Sequence, residues 1–386
     1  MQNLVFITID CLRSDHVGCL GYKKITPNID KLAWGGLSFS QAVSTAPCTP
    51  LSFLSIFTSD FPSNHKRIEN ETHPKIFKIN EDCKTLAEAL KEKGYRTKGI
   101  HSNPLLRIEK KYGYARGFDS YEDLETLKDL PYQPAEKTTD VALSWIKKHL
   151  NLPFFIWIHY MDPHPPNIHY EEFYPLKDLG CKEEIFFDLD RKVELHKKTK
   201  QSANYEDPNI SEKERQQLLT LYDAEIRYND LEIGRFIGIL KEWGLLDNTL
   251  SVLTADHGYM FGEHGRYYMG DMLYDELIRV PLIFHGLGLK GKVGEQVSLL
   301  DLAPTILTLL GLRVPTSFKG KSLIPPTRNR KPAFSEALRM RAGVNYKLFS
   351  WRTENWKIIT KCSTSEDSNE FYDLKSDPQE KRNLMS

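Results

Sequence analysis

The residues best suited to chemistry stand at the ends of apolar runs. Asp10 closes the run at residues 4–9, and Asp256-His257-Gly258 follows the run at 249–254. Open α/β sheets place their ligand sites at the carboxyl ends of strands, so two such ends could share one ion. Carboxylates and an imidazole suit a divalent cation. Oxygen-rich sets favour Mg²⁺, Ca²⁺ or Mn²⁺, and added imidazole favours Zn²⁺, so the metal's identity stays open. Taken singly, each aspartate also reads as a turn or cap residue.

A third element is Ala46-Pro47-Cys48-Thr49-Pro50-Leu51-Ser52. A helix with Pro50 at its first position and Thr49 as its N-cap puts the Thr49 hydroxyl at the positive end of the helix dipole, where anions bind. A metal there would lower the hydroxyl's pKa and make it a nucleophile. The plain alternative is a capping threonine.

Two irregular segments carry further donors. His159-Tyr160-Met161-Asp162-Pro163-His164 follows the run at 154–158, and its ligand-type side chains His159, Tyr160, Asp162 and His164 offer an acid for a leaving group or ligands for a second metal, with Asp162 and His164 the leading candidates. Gly262-Glu263-His264-Gly265-Arg266 offers His264 as another acid and Arg266 as a donor to substrate oxygens. A solvated loop is the competing reading there.

The elements that must position these groups read as an α/β layer fold, with strands at 4–9, 96–101, 154–159, 249–254 and 280–285. Thr26-Pro27 opens a helix. Thr85-x-x-Glu88 and Ser211-x-x-Glu214 are capping boxes, Gly94 closes the first of those helices, and Asp301 to Pro304 begins another that ends at Gly311. In the long helix after Ser211, Leu218, Tyr222, Ile226, Ile233, Ile237 and Leu240 follow helical spacing. Residues 166–212 turn polar and form an expected lid or insertion. Near the carboxyl end, Thr353-Glu354-Asn355 sits between two strand-like runs and predicts a hairpin. The expected division is a catalytic domain over 1–325 and a small α+β subdomain over 326–386.

The chain has 386 residues, with Lys+Arg and Asp+Glu both 52, so no global field draws it to nucleic acid or an anionic membrane. The first residues lack a basic flank and a cleavage pattern, and no stretch reaches the length of a membrane span, which predicts a cytoplasmic protein with no membrane partner. Six dispersed cysteines without a CxxC argue against a disulfide framework or zinc knuckle.

These residues resemble the sulfatase branch of the alkaline phosphatase superfamily. The resemblance runs through Ile7 to Asp15, Thr26 to Asp30, Phe39 to Thr58, Asn103-Pro104 with Gly117-Phe118-Asp119, Asp162-Pro163-His164, Thr254 to Gly258, Tyr274-Asp275-Glu276 with Val280-Pro281-Leu282, Asp301 to Thr305, and Phe371 to Leu374 with Asp377 to Glu380. It implies a mixed sheet sandwiched by helices with a small carboxyl-terminal antiparallel sheet, and metal ligation by Asp10, Asp256 and His257 with Thr49. It further implies substrate contacts from Asn103 and from Lys98 and His101, which lie where the family often has a Lys-x-x-His pair.

The departures shape the expected chemistry. Sulfatases carry Cys-x-Pro-x-Arg, whose cysteine becomes formylglycine; here Cys48-Thr49-Pro50 is followed by Ser52 in the arginine's place. Registering on Phe39 and Thr58 without gaps puts Thr49 at the nucleophile position and argues against formylglycine. The family's second aspartate after Asp10 is Cys11, and Gly270 stands where a lysine is expected. The leading expectation is a metal-dependent hydrolase of phosphate or sulfate esters, phosphoester favoured, with Thr49 attacking in line. Alternatives are a sulfuric ester hydrolase using formylglycine from Cys48, and a non-catalytic metal-bearing binding protein.

Overall fold

The computed structural model describes residues 1–68, 77–106, 112–124, 132–165, 210–270, 272–325, 331–341, 344–363 and 367–385. Most of the expected insertion at 166–212 therefore lies outside the described residues.

The large sheet has eight strands: β1 (Asn3–Ile9), β2 (Leu37–Val43), β3 (Arg96–His101), β4 (Ser120–Asp123), β5 (Phe154–Tyr160), β6 (Thr249–Ala255), β7 (Arg279–His285) and β8 (Gly291–Ser298). Their order is β8-β2-β7-β6-β1-β5-β3-β4. β1 lies parallel to both β6 and β5, β3 continues that parallel run, and β7 is antiparallel to both its neighbours. Every residue of β1, β5 and β6 is buried, as a sheet covered on both faces requires, and this explains their largely apolar sequences. The strands not anticipated, β2, β4 and β8, carry interspersed polar residues, and two of them occupy the sheet's edges.

Among the described residues the α-helices are α1 (Pro27–Gly35), α2 (Thr49–Thr58), α3 (Leu86–Lys91), α4 (Ala135–Lys147), α5 (Glu212–Glu242), α6 (Asp275–Ile278) and α7 (Leu302–Leu309). They form two packing groups, α5 with α1 and α4, and α2 with α3 and α7. Both capping boxes exist: Thr85 Oγ1 accepts from the Glu88 amide at 3.1 Å, and Ser211 Oγ from the Glu214 amide at 3.3 Å. Such a cap contributes about 1 kcal/mol. The Asp230 carboxylate, on α5, accepts the Asn28 and Ile29 amides at 3.0 and 2.8 Å, which ties α5 to the positive end of α1. Helix α2 begins at Thr49 itself with Cys48 as its cap residue, so Pro50 is its second position rather than its first. All ten residues of α2 are buried.

The hairpin at Thr353 to Asn355 joins two strands of a four-stranded antiparallel sheet, β9 (Ala333–Arg341), β10 (Val344–Arg352), β11 (Trp356–Ser363) and β12 (Ser368–Asp373). This sheet docks through buried charge. Arg352 grips Asp275 with Nε and Nη2 at 2.9 and 2.8 Å, and Lys357 reaches Asp275 at 3.1 Å and Glu380 at 2.7 Å. Among the described residues, no helix is long and apolar enough to cross a membrane.

Candidate active site and metal centre

Strand register builds the site. Ile9 pairs with Ala255 on one side and Tyr160 on the other, so Asp10 and Asp256 leave adjacent strands one residue past paired positions. The Asp10 amide also donates to the Tyr160 carbonyl at 2.9 Å, which fixes where the carboxylate starts. The amino end of α2 then brings Thr49 over this edge. Thr49 Oγ1 lies 3.3 Å from Asp10 Oδ2 and 3.1 Å from His257 Nε2.

The imidazole is aimed by its backbone. His257 Nδ1 bonds the Gly258 carbonyl at 2.8 Å, so that nitrogen carries the proton and Nε2 presents its lone pair to Asp10 Oδ1 at 3.6 Å and Asp256 Oδ2 at 3.5 Å. Asp10, Asp256 and His257 are fully buried, and one ligand atom from each falls within 4.8 Å of the others.

Electrostatics suit the cluster to a cation. Burial by itself raises Asp10, but the imidazoles of His164, His159 and His257 outweigh it and hold the carboxyl below the ordinary range. Asp256 goes the other way, pushed well up by burial and then by the Asp10 charge. Two carboxylates this close do not both ionise without positive charge between them. Asp256 Oδ2 is moreover a buried oxygen that makes no hydrogen bond. A divalent ion would supply that missing partner, so the residues fit one.

The remaining predicted residues separate. Asn103 belongs to the cluster, donating Nδ2 to Asp10 Oδ2 at 2.9 Å while its Oδ1 accepts the Leu105 amide at 2.9 Å. His101 is one step removed: its Nδ1 accepts the Asn103 amide at 3.2 Å, and burial lowers its pKa to about 3, so it stays neutral and positions Asn103. Lys98 points elsewhere, its ammonium held by Ser120 at 2.9 Å and by Glu122, both on β4. Asp162 is spent on structure, because its Oδ2 accepts the Ala135 amide at 3.0 Å and so caps α4 from outside. His164 instead groups with Asp10 and Cys11, again within 4.8 Å.

A pocket of about 240 Å³ opens on Thr49, lined also by Cys48, Asn103, Tyr132, His164 and Tyr268. His264 lines a different pocket of about 400 Å³ with Arg13, Arg215 and Arg279, and its ring stacks on Tyr274 at 3.7 Å. Arg266 lines neither pocket; its backbone closes a turn with Gly262 and Glu263. Ser52, in the place of the family's arginine, donates to the Ala46 carbonyl at 2.8 Å and is fully buried.

Three contributors lie beyond the leading candidates read from sequence. His159 Nε2 stands 3.3 Å from Asp10 Oδ2, with its Nδ1 2.9 Å from Thr8 Oγ1, which also accepts Trp157 Nε1 at 2.9 Å. Its strand-end position was the available signal. Tyr132 and Tyr268 line the pocket from outside the motifs, and no local pattern marks them.

The Sulfatase family model matches residues 2–312. The chain belongs to the sulfatase family. A second model, N-sulphoglucosamine sulphohydrolase, C-terminal, matches residues 262–386 of this sulfatase-family chain. It is similar to an arylsulfatase of Clostridium perfringens, 25% identical over 100% of this chain and 90% of that protein. It is likewise similar to an N-acetylglucosamine-6-O-sulfatase of Bacteroides thetaiotaomicron, 25% identical over 99% and 82%. Its fold matches that of a protein solved in complex with its substrate D-glucosamine-2-N,6-O-disulfate, at a TM-score of 0.77 and 22% identity over 100% and 93% of the two chains. The phosphonate monoester hydrolase of Agrobacterium radiobacter matches at 0.76 and 18% over 100% and 91%. These relationships make the protein a sulfatase-like ester hydrolase with the alkaline phosphatase-like fold, and the family generally uses a divalent metal ion.

Proposed function

We propose that this sulfatase-family protein hydrolyses phosphate esters in preference to sulfate esters, with Thr49 as the nucleophile. The observation that carries the reading is the Thr49 hydroxyl at a helix amino terminus, 3.1 Å from His257 Nε2 and 3.3 Å from Asp10 Oδ2. Asp10, Asp256 and His257 would hold the divalent ion. When bound, it would lower the hydroxyl's pKa and neutralise charge on the transferring group.

The chain's own residues do the rest. Asn103 and His159 both face Asp10 Oδ2, fixing the carboxylate beside the nucleophile. Thr49 Oγ1, its proton released to solvent, attacks in line, its bond to phosphorus forming as the bond to the leaving oxygen breaks. His164, whose ring lines the same pocket, gives that oxygen its proton. Water then cleaves the Thr49 ester, and phosphate leaves. The neighbour that is a phosphonate monoester hydrolase supports phosphorus chemistry on this fold.

The sulfatase relatives favour a second reading, in which Cys48 is converted to formylglycine; Cys48 lines the same pocket. The test is a side-by-side assay of an aryl sulfate, a phosphate monoester and a phosphate diester across several divalent metals. Metal-dependent turnover led by a phosphoester is expected. Sulfate ahead by orders of magnitude would overturn the preference, and no turnover with any ester would favour a metal-bearing binding protein.

A further inference from the structure

The cavity that opens on Thr49 measures about 240 Å³, below the roughly 300–1,000 Å³ that houses a drug-sized ligand. Beyond the transferring group it has room for a single ring or a short chain. Thr49, Asn103 and Tyr132 commit their polar atoms to the protein: Thr49 faces Asp10 and His257, Asn103 donates to Asp10 and accepts the Leu105 amide, and the Tyr132 hydroxyl donates to the His164 carbonyl at 2.8 Å. Around them stand Pro104, Leu105, Met161, Met269, Tyr132 and Tyr268, a wall of hydrocarbon, thioether and aromatic ring.

Separate elements bring this wall together. Met161 follows β5, and its carbonyl accepts the His164 amide at 2.6 Å, which holds it in the turn that carries His164. Met269 Sδ packs 3.6 Å from Cys11 Sγ, beside the end of β1. Tyr268 is half-buried and pairs with Met260 in a two-stranded antiparallel ribbon, where its φ of 130° lies in a region that L-residues seldom occupy. Backbone held in such a region persists only where its surroundings over-determine it, and it clusters at ligand clamps.

We propose that Tyr268, with Met161 and Met269, binds the alcohol half of the ester and selects an uncharged aromatic ring over a sugar or a charged group. The inference rests on reading Thr49 as the reacting centre. An aromatic ring gains from stacking on a tyrosine and from thioether contacts at its edge. Sugar hydroxyls or a carboxylate buried against the same wall lose water without gaining hydrogen bonds.

The test uses the full chain at saturating divalent metal. Values of kcat/KM are measured for benzyl phosphate, 4-carboxybenzyl phosphate and glucose 6-phosphate, all primary-alcohol esters of similar intrinsic reactivity. Calorimetry gives the affinities of the non-hydrolysable benzylphosphonate and methylphosphonate. Benzyl phosphate should lead both competitors, and benzylphosphonate should bind more tightly than methylphosphonate, each by at least about tenfold. Tyr268→Phe should keep these ratios, and Tyr268→Gly, which suits the φ of 130°, should bring them to within about threefold of unity. The wild-type ratios decide the matter even where Tyr268→Gly fails to fold. Turnover of all three esters without preference, or ratios unchanged in Tyr268→Gly, overturns the subsite and leaves the chemistry at Thr49 standing. A retained preference for benzylphosphonate with no ester turned over supports the subsite, and the reading of Thr49 fails instead.

Discussion

Thr49 and Cys48 are adjacent, both buried and both on the same pocket, so substituting each with alanine discriminates between them. Thr49→Ala removes the hydroxyl that contacts Asp10 and His257. A hydrogen bond of this kind contributes roughly 0.5–1.5 kcal/mol to stability. The groups left behind keep partners, Asp10 in Asn103 and His257 in the Gly258 carbonyl. At roughly 2 cal/mol/K of unfolding entropy per residue, the 386-residue chain shifts its Tm by only about 1 °C per kcal/mol, so Thr49→Ala should melt within a few degrees of wild type. Its kcat should nonetheless fall by about 10⁴- to 10⁶-fold, or roughly 5–8 kcal/mol of barrier, because the covalent route is gone. Cys48→Ala should lose about 1 kcal/mol of stability and keep kcat within a factor of about ten, since a small buried thiol is lost and no reacting atom. The assay is ester turnover at saturating metal beside a thermal melt, with mass spectrometry of the peptide containing Cys48. An active Thr49→Ala, or an aldehyde at Cys48 with an inactive Cys48→Ala, would refute the assignment.

Replacing His164 with Gln should slow alkyl esters by about 10²–10⁴-fold while sparing activated aryl esters, whose leaving oxygen needs no proton, as paired kcat measurements would show. Arg352→Leu leaves the buried Asp275 carboxylate short of its bidentate partner and should cost roughly 3–5 kcal/mol, read by denaturant melts. Burial pushes the Glu380 carboxyl up to about 7 against the pull of Lys357. The folded state therefore holds a proton that the unfolded chain has released, so stability should fall as pH rises from the ordinary glutamate range through about 7. Glu380→Gln should flatten that slope in Tm measured across the interval.

The strands that carry the site were legible because they are central. β1, β5 and β6 are buried by neighbours on both sides, so their sequences are mostly apolar runs whose ends mark the ligand edge. β4 and β8 sit at the sheet's edges with mixed residues such as Ser120 to Asp123, and β2 interleaves serines and a glutamine, so periodicity did not separate them from loop. Capping boxes at Thr85 and Ser211 were legible for a local reason, since each needs only residues three apart to satisfy orphan amides.

Among the site residues, type foretold placement at the cluster only where no nearer partner competed for the side chain. Lys98 lies in register with Ser120 on β4 and next but one to Glu122, and a buried ammonium goes to the first carboxylate it meets. Asp162 emerges from β5 beside the amino end of α4, where its Oδ2 accepts the Ala135 amide. His264 stacks on Tyr274 within 3.5 Å of Glu276, in a pocket separate from Thr49. Each competing partner is distant in sequence, so reading along the chain could not rank it. Asp256 is the converse case: its Oδ2 makes no hydrogen bond despite full burial, and it is that oxygen, rather than the number of acidic residues, that argues for a cation between Asp10, Asp256 and His257.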